Sequence, residues 1–197
     1  MPTSRKRIKA ALAVAAAVLL APPAGADMLT RAGWGAKPAL AGQQAHTVQR
    51  ITLHHTAVRA NPARPLAAKM RGLQRFSQSD ELLADGRRKP VWPDVPYHFY
   101  IGAAGQVAEG RDLRFAGDTN TNYDPAGHIS IALEGNFEVE KPTKAQEQAL
   151  AELLARLMQD HGLTAADVGT HRHFTATACP GRHLEARLPA ILNAAAR

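Results

Sequence analysis

One cysteine and two of the nine histidines stand in contexts that suit metal chemistry. His54 follows an apolar segment typical of a short strand, and His171 and Cys179 lie in turn-like segments near the C-terminal end. Two imidazoles and a thiolate suit zinc and leave its fourth tetrahedral position for water. Zinc lowers the pKa of bound water from about 16 to about 7, which makes hydroxide available at neutral pH. These residues predict a catalytic site with one Zn²⁺ per chain.

The residues alone leave a second interpretation open, because ligands from distant segments lack the spacing signature of closely paired cysteines. His54 and His55 would then be ordinary polar residues. Cys179 would be a small buried side chain, which is the usual role of a free cysteine.

The N-terminal residues have the pattern of a secretory signal peptide. Four basic residues between positions 5 and 9 precede the apolar run 10–21, and Ala24-Gly25-Ala26 forms a small-residue cleavage site. We expect cleavage near Ala26, before Asp27, and periplasmic or extracellular residence. The run is shorter than the roughly 20 residues that a spanning helix needs, so we expect no stable membrane insertion.

The length and net charge of the chain limit the number of domains and the type of binding partner. Residues 27–197 fit one compact domain. Four of the 24 basic residues and none of the 17 acidic residues precede position 27, so the formal charge of +7 falls to +3. This charge favours mild attraction to anionic polymers such as cell wall, but the dense basic block of a nucleic-acid binder is missing. An unpaired thiol in an oxidising compartment also favours a chemical role or intermolecular pairing.

The hydrophobic pattern alternates strands with helices and predicts an α/β layer architecture, with functional residues at strand ends and loops. Thr143 is predicted to cap the clearest helix, Gly162 to end it, and Pro189 to interrupt the last helix. The predicted strands are 48–53, 97–101, 106–109 and 128–133, the helices are 65–83, 143–160 and 184–195, and the irregular segments are 85–96 and 112–127.

Six short blocks occur in an order that resembles the peptidoglycan-recognition protein and phage-lysozyme amidase family, amidase type 2. The resemblance covers nearly all of residues 27–197 and implies that they form an amidase domain. It implies a central mixed β-sheet flanked by helices, with zinc at the floor of a groove along one sheet edge. The blocks are Trp34-Gly35-Ala36, His54-His55-Thr56, Tyr97-His98-Phe99, Glu109-Gly110-Arg111, Gly135-Asn136-Phe137 and Thr177-Ala178-Cys179-Pro180-Gly181.

The resemblance implies hydrolysis of the amide between N-acetylmuramic acid and L-alanine in peptidoglycan or muropeptides. In the family, the residues that match His54, His171 and Cys179 bind zinc, and recognition-only relatives lack the cysteine. The family also places residues matching Tyr97 and Thr177 beside the metal-bound water. These hydroxyls would stabilise the oxyanion or assist proton transfer to the leaving nitrogen. Without the family, Tyr97 is more simply a core residue and Thr177 a local partner of the backbone.

Further residues have less defined roles. Trp92, Asn136 and the loop 116–127 are candidate contacts to glycan or peptide. Glu134 is a candidate base, although a solvated glutamate at a strand end is the simpler interpretation. Related cytoplasmic amidases carry a glutamate where this chain has Ala132, so that form of the mechanism is not expected.

The other histidines are expected to have structural roles. Adjacent strand residues point to opposite faces, so His55 and His98 should face away from their neighbours in sequence. His173 is expected in a surface loop, and His128, His161 and His183 receive no site role.

Two segments depart from the family pattern, and these departures leave the fine substrate specificity undefined. Residues 116–120 replace a common GAH block, and 77–96 has Ser77 in place of a frequent histidine and an insertion before Trp92. A non-hydrolytic peptidoglycan-binding module, a zinc peptidase and an antibacterial effector remain alternatives. Stem-peptide preference, intact sacculi versus soluble fragments, oligomeric state and an immunity or regulatory protein stay open.

Overall fold

A mixed five-stranded sheet lies at the centre of the fold. The computed structural model describes residues 28–83 and 86–197, so the signal-peptide prediction for residues 1–26 lies outside the described residues. The strands are β1 (Arg50–His55), β2 (Phe99–Ile101), β3 (Val107–Glu109), β4 (His128–Leu133) and β5 (Val168–Thr170). Their order is β3-β2-β4-β1-β5, with β3 antiparallel to β2 and the other pairs parallel. This sheet and its flanking helices confirm the predicted α/β class.

Within the described residues, four α-helices accompany the sheet: α1 (Arg31–Trp34), α2 (Leu66–Ser77), α3 (Lys144–His161) and α4 (Arg182–Ala195). Thr143 caps α3 in a reciprocal capping box, and Gly162 ends it in the left-handed conformation, as predicted. Among the residues with a described structure, we find no helix with the length and apolarity to cross a membrane.

The predicted interruption of the last helix at Pro189 is wrong, because α4 continues through it. Proline removes one backbone hydrogen bond, but its fixed φ is compatible with a helix. Leu188 and Ile191 are buried on either side of it in the core with α3, and Arg187 forms an ion pair with Glu147 of that helix. These contacts hold both halves of α4 in place.

The two faces of the sheet pack against different helices. Ile51 and Leu53 of β1 face a large core formed with α3 and α4. On the other face, Ala132 of β4 packs in a smaller core with Trp34 of α1 and Met70 of α2. Side chains alternate along a strand, so His54 lies on the α2 side of β1 and His55 on the α3 side.

Several element boundaries differ from the sequence predictions. β1 extends to His55 because parallel pairing with β4 continues to its end, which places both histidines inside the strand. α2 ends at Ser77, whose carbonyl accepts a hydrogen bond from the Trp92 backbone as the following segment folds back. β2 begins only at Phe99, so Tyr97 lies just before the strand.

Candidate metal centre and the surrounding cleft

The structure brings His54, His171 and Cys179 together. One potential ligand atom from each lies within 4.8 Å of the other two. β1 and β5 are parallel neighbours in which Leu53 pairs with Thr170, so the following residues, His54 and His171, meet at the same end of the sheet. The carboxyl ends of parallel strands are where α/β folds commonly place ligands.

A tight turn before α4 positions Cys179. The Gly181 backbone donates a hydrogen bond to the Ala178 carbonyl, and Gly181 has a φ of 94°, which favours glycine. A Cβ atom at this position would collide with the backbone of Phe137. The guanidinium of Arg172 also donates to the Ala178 carbonyl, at 2.8 Å. The thiol is therefore held in place by backbone packing and local hydrogen bonds.

The spacing and protonation of the donors fit zinc. His54 Nδ1 lies 3.7 Å from Cys179 Sγ, close to the separation of about 3.5 Å that tetrahedral zinc imposes with bonds of about 2.3 Å to sulfur and about 2.0 Å to nitrogen. Burial, followed by the charge of His171, lowers the pKa of His54 well below its usual value, and burial lowers the pKa of His171 to about 4. Both imidazoles are therefore neutral near pH 7, which is the form that binds metals.

The surroundings of His54 and Cys179 also suit a cation. His54 Nε2 is buried and has no hydrogen-bond partner among residues 28–83 and 86–197. Burial raises the pKa of the Cys179 thiol to about 12, although a hydrogen bond from the His55 backbone N–H, at 3.4 Å, opposes that shift. A nearby metal cation is the kind of partner that converts a buried thiol into a thiolate.

Tyr97 and Thr177 line the same cleft as the three donors. The Tyr97 and His54 ring centroids are 5.3 Å apart. Burial, followed by the charge of Cys179, raises the pKa of Tyr97, so its phenol remains a hydrogen-bond donor at neutral pH. The Thr177 hydroxyl oxygen accepts a hydrogen bond from the Cys179 backbone at 3.2 Å, which leaves its own hydrogen for another acceptor.

The cleft has a volume of about 310 Å³, and Trp92 and part of the loop 116–127 contribute to its wall. Trp92 is 7% exposed, and the ammonium of buried Lys89 lies 5.1 Å from its ring centroid. Asp118 anchors the loop through an ion pair with buried Arg111. The cleft therefore combines an aromatic wall with a polar wall above the three candidate metal ligands.

Asn136 is not among the residues that line this cleft. Its side-chain oxygen accepts a hydrogen bond from the Glu138 backbone at 3.2 Å, and its own backbone N–H donates to Glu140. The side chain therefore stabilises the turn after β4, and the structure gives no support to its predicted substrate contact.

Glu134 is also not among the residues that line the cleft, and the expectation of a solvated glutamate is wrong because the residue is 5% exposed. Its carboxylate pairs with Lys69 and accepts hydrogen bonds from the Asn61 and Ala103 backbones. Burial alone would raise the pKa of Glu134, but these hydrogen bonds outweigh that effect and hold the pKa below its usual value. Ala132, which pairs with His54 in the sheet, supplies no carboxylate in its place.

Three other histidines have partners that suit structural roles. His55 Nδ1 accepts a hydrogen bond from the Phe137 backbone at 3.1 Å, on the opposite face of β1 from His54. Both ring nitrogens of His98 bond to the backbone. His173 is 53% exposed in its side chain and lies 3.4 Å from a Glu185 carboxylate oxygen.

Thr121 is a site residue that the sequence analysis missed. Its hydroxyl oxygen lies 2.7 Å from His171 Nε2. The loop 116–127 was predicted only as a substrate contact, because an irregular segment has no periodicity that indicates which side chain points inward. The two nearby threonines, Thr119 and Thr121, were the only available signal.

Comparison with known proteins identifies the class to which this fold and site belong. The family model described as N-acetylmuramoyl-L-alanine amidase matches residues 44–182. The chain belongs to this amidase type 2 and peptidoglycan-recognition protein family. It is 32% identical over 158 residues to the N-acetylmuramoyl-L-alanine amidase of Sus scrofa, covering 77% of this chain and 25% of that protein. The chain thus spans about a quarter of the length of this relative.

Relatives of similar size carry a different name. Peptidoglycan-recognition protein SD of Drosophila simulans is 33% identical over 167 residues, covering 81% of this chain and 82% of that protein. The crystal structure of Drosophila peptidoglycan recognition protein SD superposes with a TM-score of 0.68 at 29% identity, covering 81% and 92% of the two chains. Wild-type Drosophila PGRP-LB gives a TM-score of 0.67 at 26% identity, covering 83% and 92%. The family therefore supports either amidase activity or peptidoglycan binding.

Proposed function

We propose that this protein is a zinc-dependent N-acetylmuramoyl-L-alanine amidase that cleaves the bond between N-acetylmuramic acid and L-alanine in peptidoglycan. The observation that carries the proposal is the convergence of His54, His171 and Cys179 at the floor of a cleft, with spacing that suits zinc. Three protein ligands leave a position open for water or substrate, which is typical of catalytic zinc sites.

The residues around the donors have properties that suit amide hydrolysis. When bound, zinc supplies Lewis-acid polarisation of the amide carbonyl and a water of lowered pKa. Tyr97 keeps its proton because burial raises its pKa, so its phenol can donate to the oxyanion that develops on the carbonyl. The Thr177 hydroxyl lines the same cleft and can hydrogen-bond to the nucleophile or the leaving nitrogen. Trp92 offers an apolar wall for the glycan or peptide.

Peptidoglycan binding without hydrolysis is a second candidate function. It is favoured by the similarity to peptidoglycan-recognition proteins over most of their length. Two solved relatives, the PGRP-LCa and PGRP-LCx ectodomain complex and a PGRP-LB mutant, hold tracheal cytotoxin. A groove used only for binding has no need of a buried His54 whose Nδ1 lies 3.7 Å from the thiol of a lone cysteine. A zinc peptidase or an antibacterial effector would use the same donors, so these alternatives differ only in substrate and delivery.

We also propose that residues 1–26 direct export and that residues 27–197 form the amidase domain, which would act in the periplasm or outside the cell. The charged start, apolar run and small-residue site support this proposal. N-terminal sequencing of the protein from its native host tests it: a mature chain starting at Asp27 supports export, and an unprocessed cytosolic chain contradicts it.

Mass analysis of peptidoglycan digested with the purified protein tests the proposed reaction. Wild type should release intact stem peptides and leave free lactyl carboxylates on the glycan, whereas Cys179→Ala should release neither. His173→Ala is a matched control, because this exposed histidine lies two residues from His171 and should leave cleavage unchanged. Cleavage within the stem peptide would replace the amidase by a peptidase. Binding without cleavage by wild type would replace it by a recognition protein.

A further inference from the structure

Thr121 makes a hydrogen bond to His171 that the proposed reaction does not use. Its hydroxyl oxygen lies 2.7 Å from His171 Nε2 and also 2.7 Å from the Thr119 hydroxyl oxygen. The Thr121 backbone donates to the same Thr119 oxygen at 3.0 Å. These contacts form a short chain of hydroxyls that ends on one nitrogen of a proposed zinc ligand.

Only one direction of hydrogen-bond donation along these hydroxyls leaves His171 able to bind a metal. If His171 Nε2 carries the proton, it donates to Thr121, Thr121 donates to Thr119, and Nδ1 keeps a free lone pair. If Thr121 donates to Nε2 instead, the neutral imidazole carries its proton on Nδ1, and neither nitrogen has a lone pair for a metal. The orientation of the Thr121 hydroxyl is therefore coupled to the tautomer of His171.

The surroundings of Thr121 restrict its position. Asp118, three residues before it, is held by buried Arg111. Two residues after it, the Tyr123 ring centroid lies 5.0 Å from that of His171 and 5.9 Å from that of Phe174. The loop is thus anchored by Asp118 before Thr121 and packed against the His171 ring by Tyr123 after it. This keeps the Thr121 hydroxyl beside His171 Nε2.

We propose that Thr121 is a positioning residue that fixes His171 in the tautomer with a proton on Nε2, so that Nδ1 binds zinc. This inference rests on the proposed zinc function and deepens it. Outer hydrogen-bond partners of metal-binding histidines set the tautomer and ring orientation, and their loss typically weakens metal affinity about 10- to 100-fold. A hydroxyl outside the six sequence blocks that carry the family resemblance would therefore help to set the zinc affinity of this chain.

Zinc affinity measured by chelator competition tests the inference. Thr121→Val keeps the shape of the side chain but removes the hydroxyl, so zinc should bind about 10- to 100-fold more weakly than in wild type. Thr121→Ser keeps the hydroxyl and should bind zinc within about threefold of wild type. Thr119→Val is a matched change one link further from the ligand and should have the smaller effect, because the bond to His171 remains.

The outcomes separate this inference from the proposed function. If wild type binds zinc and Thr121→Val binds it equally tightly, the positioning role is wrong and the zinc site stands. An equal loss in Thr121→Ser and Thr121→Val also overturns the role, since the hydroxyl would not be the cause. If wild type binds no zinc, the proposed function fails first.

Nitrogen NMR of the zinc-loaded wild-type protein provides a test that needs no variant to fold. We expect the His171 ring to show a protonated Nε2 and a metal-bound Nδ1. A metal-bound Nε2 would overturn the inference directly, because Thr121 could not then accept a hydrogen bond from that atom.

Discussion

The His46–His98 ring pair and the His54–His171 ring pair lie in different parts of this fold, and their hydrogen bonds distinguish them. The rings of His46 and His98 stack with centroids 5.7 Å apart and an interplanar angle of 8°, and all four nitrogens have backbone partners. The rings of His54 and His171 are closer, with centroids 4.6 Å apart, and are tilted by 57°. Here His54 Nε2 has no partner within residues 28–83 and 86–197, and Nδ1 faces the thiol of Cys179.

The difference separates a structural histidine pair from a candidate ligand pair. A buried polar atom without a partner costs free energy, typically about 1–3 kcal/mol, so the unpartnered Nε2 shows that His54, unlike His98, is not held by backbone hydrogen bonds at both ring nitrogens. His46 and His98 connect loops and strands through backbone hydrogen bonds, and they leave no lone pair for a metal. His54 and His171 are buried with a soft third donor beside them, which is the arrangement that zinc would complete.

The largest expected effect comes from removing a histidine of the candidate ligand pair. His54→Ala should abolish stoichiometric zinc binding and lower amidase activity by more than the roughly 100-fold that loss of an outer-shell partner costs. Metal analysis and a peptidoglycan-release assay measure both effects. His98→Gln is the matched change in the structural pair and should retain one zinc per folded chain. Equal zinc loss in both variants would contradict the distinction between the pairs.

Tyr97→Phe should have the next largest effect and separates chemistry from metal binding. The variant keeps the ring beside His54 but removes the hydroxyl that we expect to stabilise the oxyanion. Loss of one such donor typically costs about 10²- to 10³-fold in kcat. Steady-state kinetics and zinc titration should show this loss in kcat with zinc affinity almost unchanged. An unaltered kcat would reduce Tyr97 to a packing residue.

The pH dependence of the free energy of unfolding should reflect the protonation of His98 in the structural pair. Burial, the largest effect, lowers the pKa of His98 to about 4 in the folded protein, despite its hydrogen bond to the Phe115 carbonyl. Between about pH 6.5 and pH 4 the unfolded chain therefore takes up a proton that the folded chain excludes, and the free energy of unfolding falls as the pH falls. His98 is 1% exposed. A fall of about two pH units within this range should therefore lower the free energy of unfolding by about 2–3 kcal/mol.

Denaturant unfolding of wild type and His98→Gln at pH 7.5 and pH 4.5 measures this contribution. Glutamine can still donate to the Phe115 carbonyl but has no imidazole to titrate, so the decrease in stability should be smaller in the variant. Equal decreases would show that His98 does not contribute to the pH dependence. Zinc should be absent from both samples, since its binding would add a separate dependence on pH.

The sequence contained enough information for the parts of the fold with local signals. Strand 128–133 has the predicted bounds, and the cap and end of α3 follow from Thr143 and Gly162. Pro189 misled the helix prediction because tertiary packing outweighs the loss of one backbone hydrogen bond. The local rule was sound, but it carries no information on the packing of α4 against α3.

The candidate site shows a similar limit. The convergence of the proposed ligands was expected from the ordered family blocks, and spacing alone would have left it open. The burial of Glu134 by Lys69 depends on a contact 65 positions apart in the chain, and the approach of Thr121 to His171 depends on one 50 positions apart. No periodic pattern in the sequence indicates either contact, so only the three-dimensional structure could reveal them.

X-ray absorption at the zinc edge of the purified wild-type protein tests the central claim most directly. The account predicts zinc with one sulfur neighbour at about 2.3 Å and nitrogen or oxygen neighbours at about 2.0 Å, from Cys179, His54, His171 and a solvent molecule. A zinc shell without sulfur, or a folded protein that takes up no zinc, would contradict it.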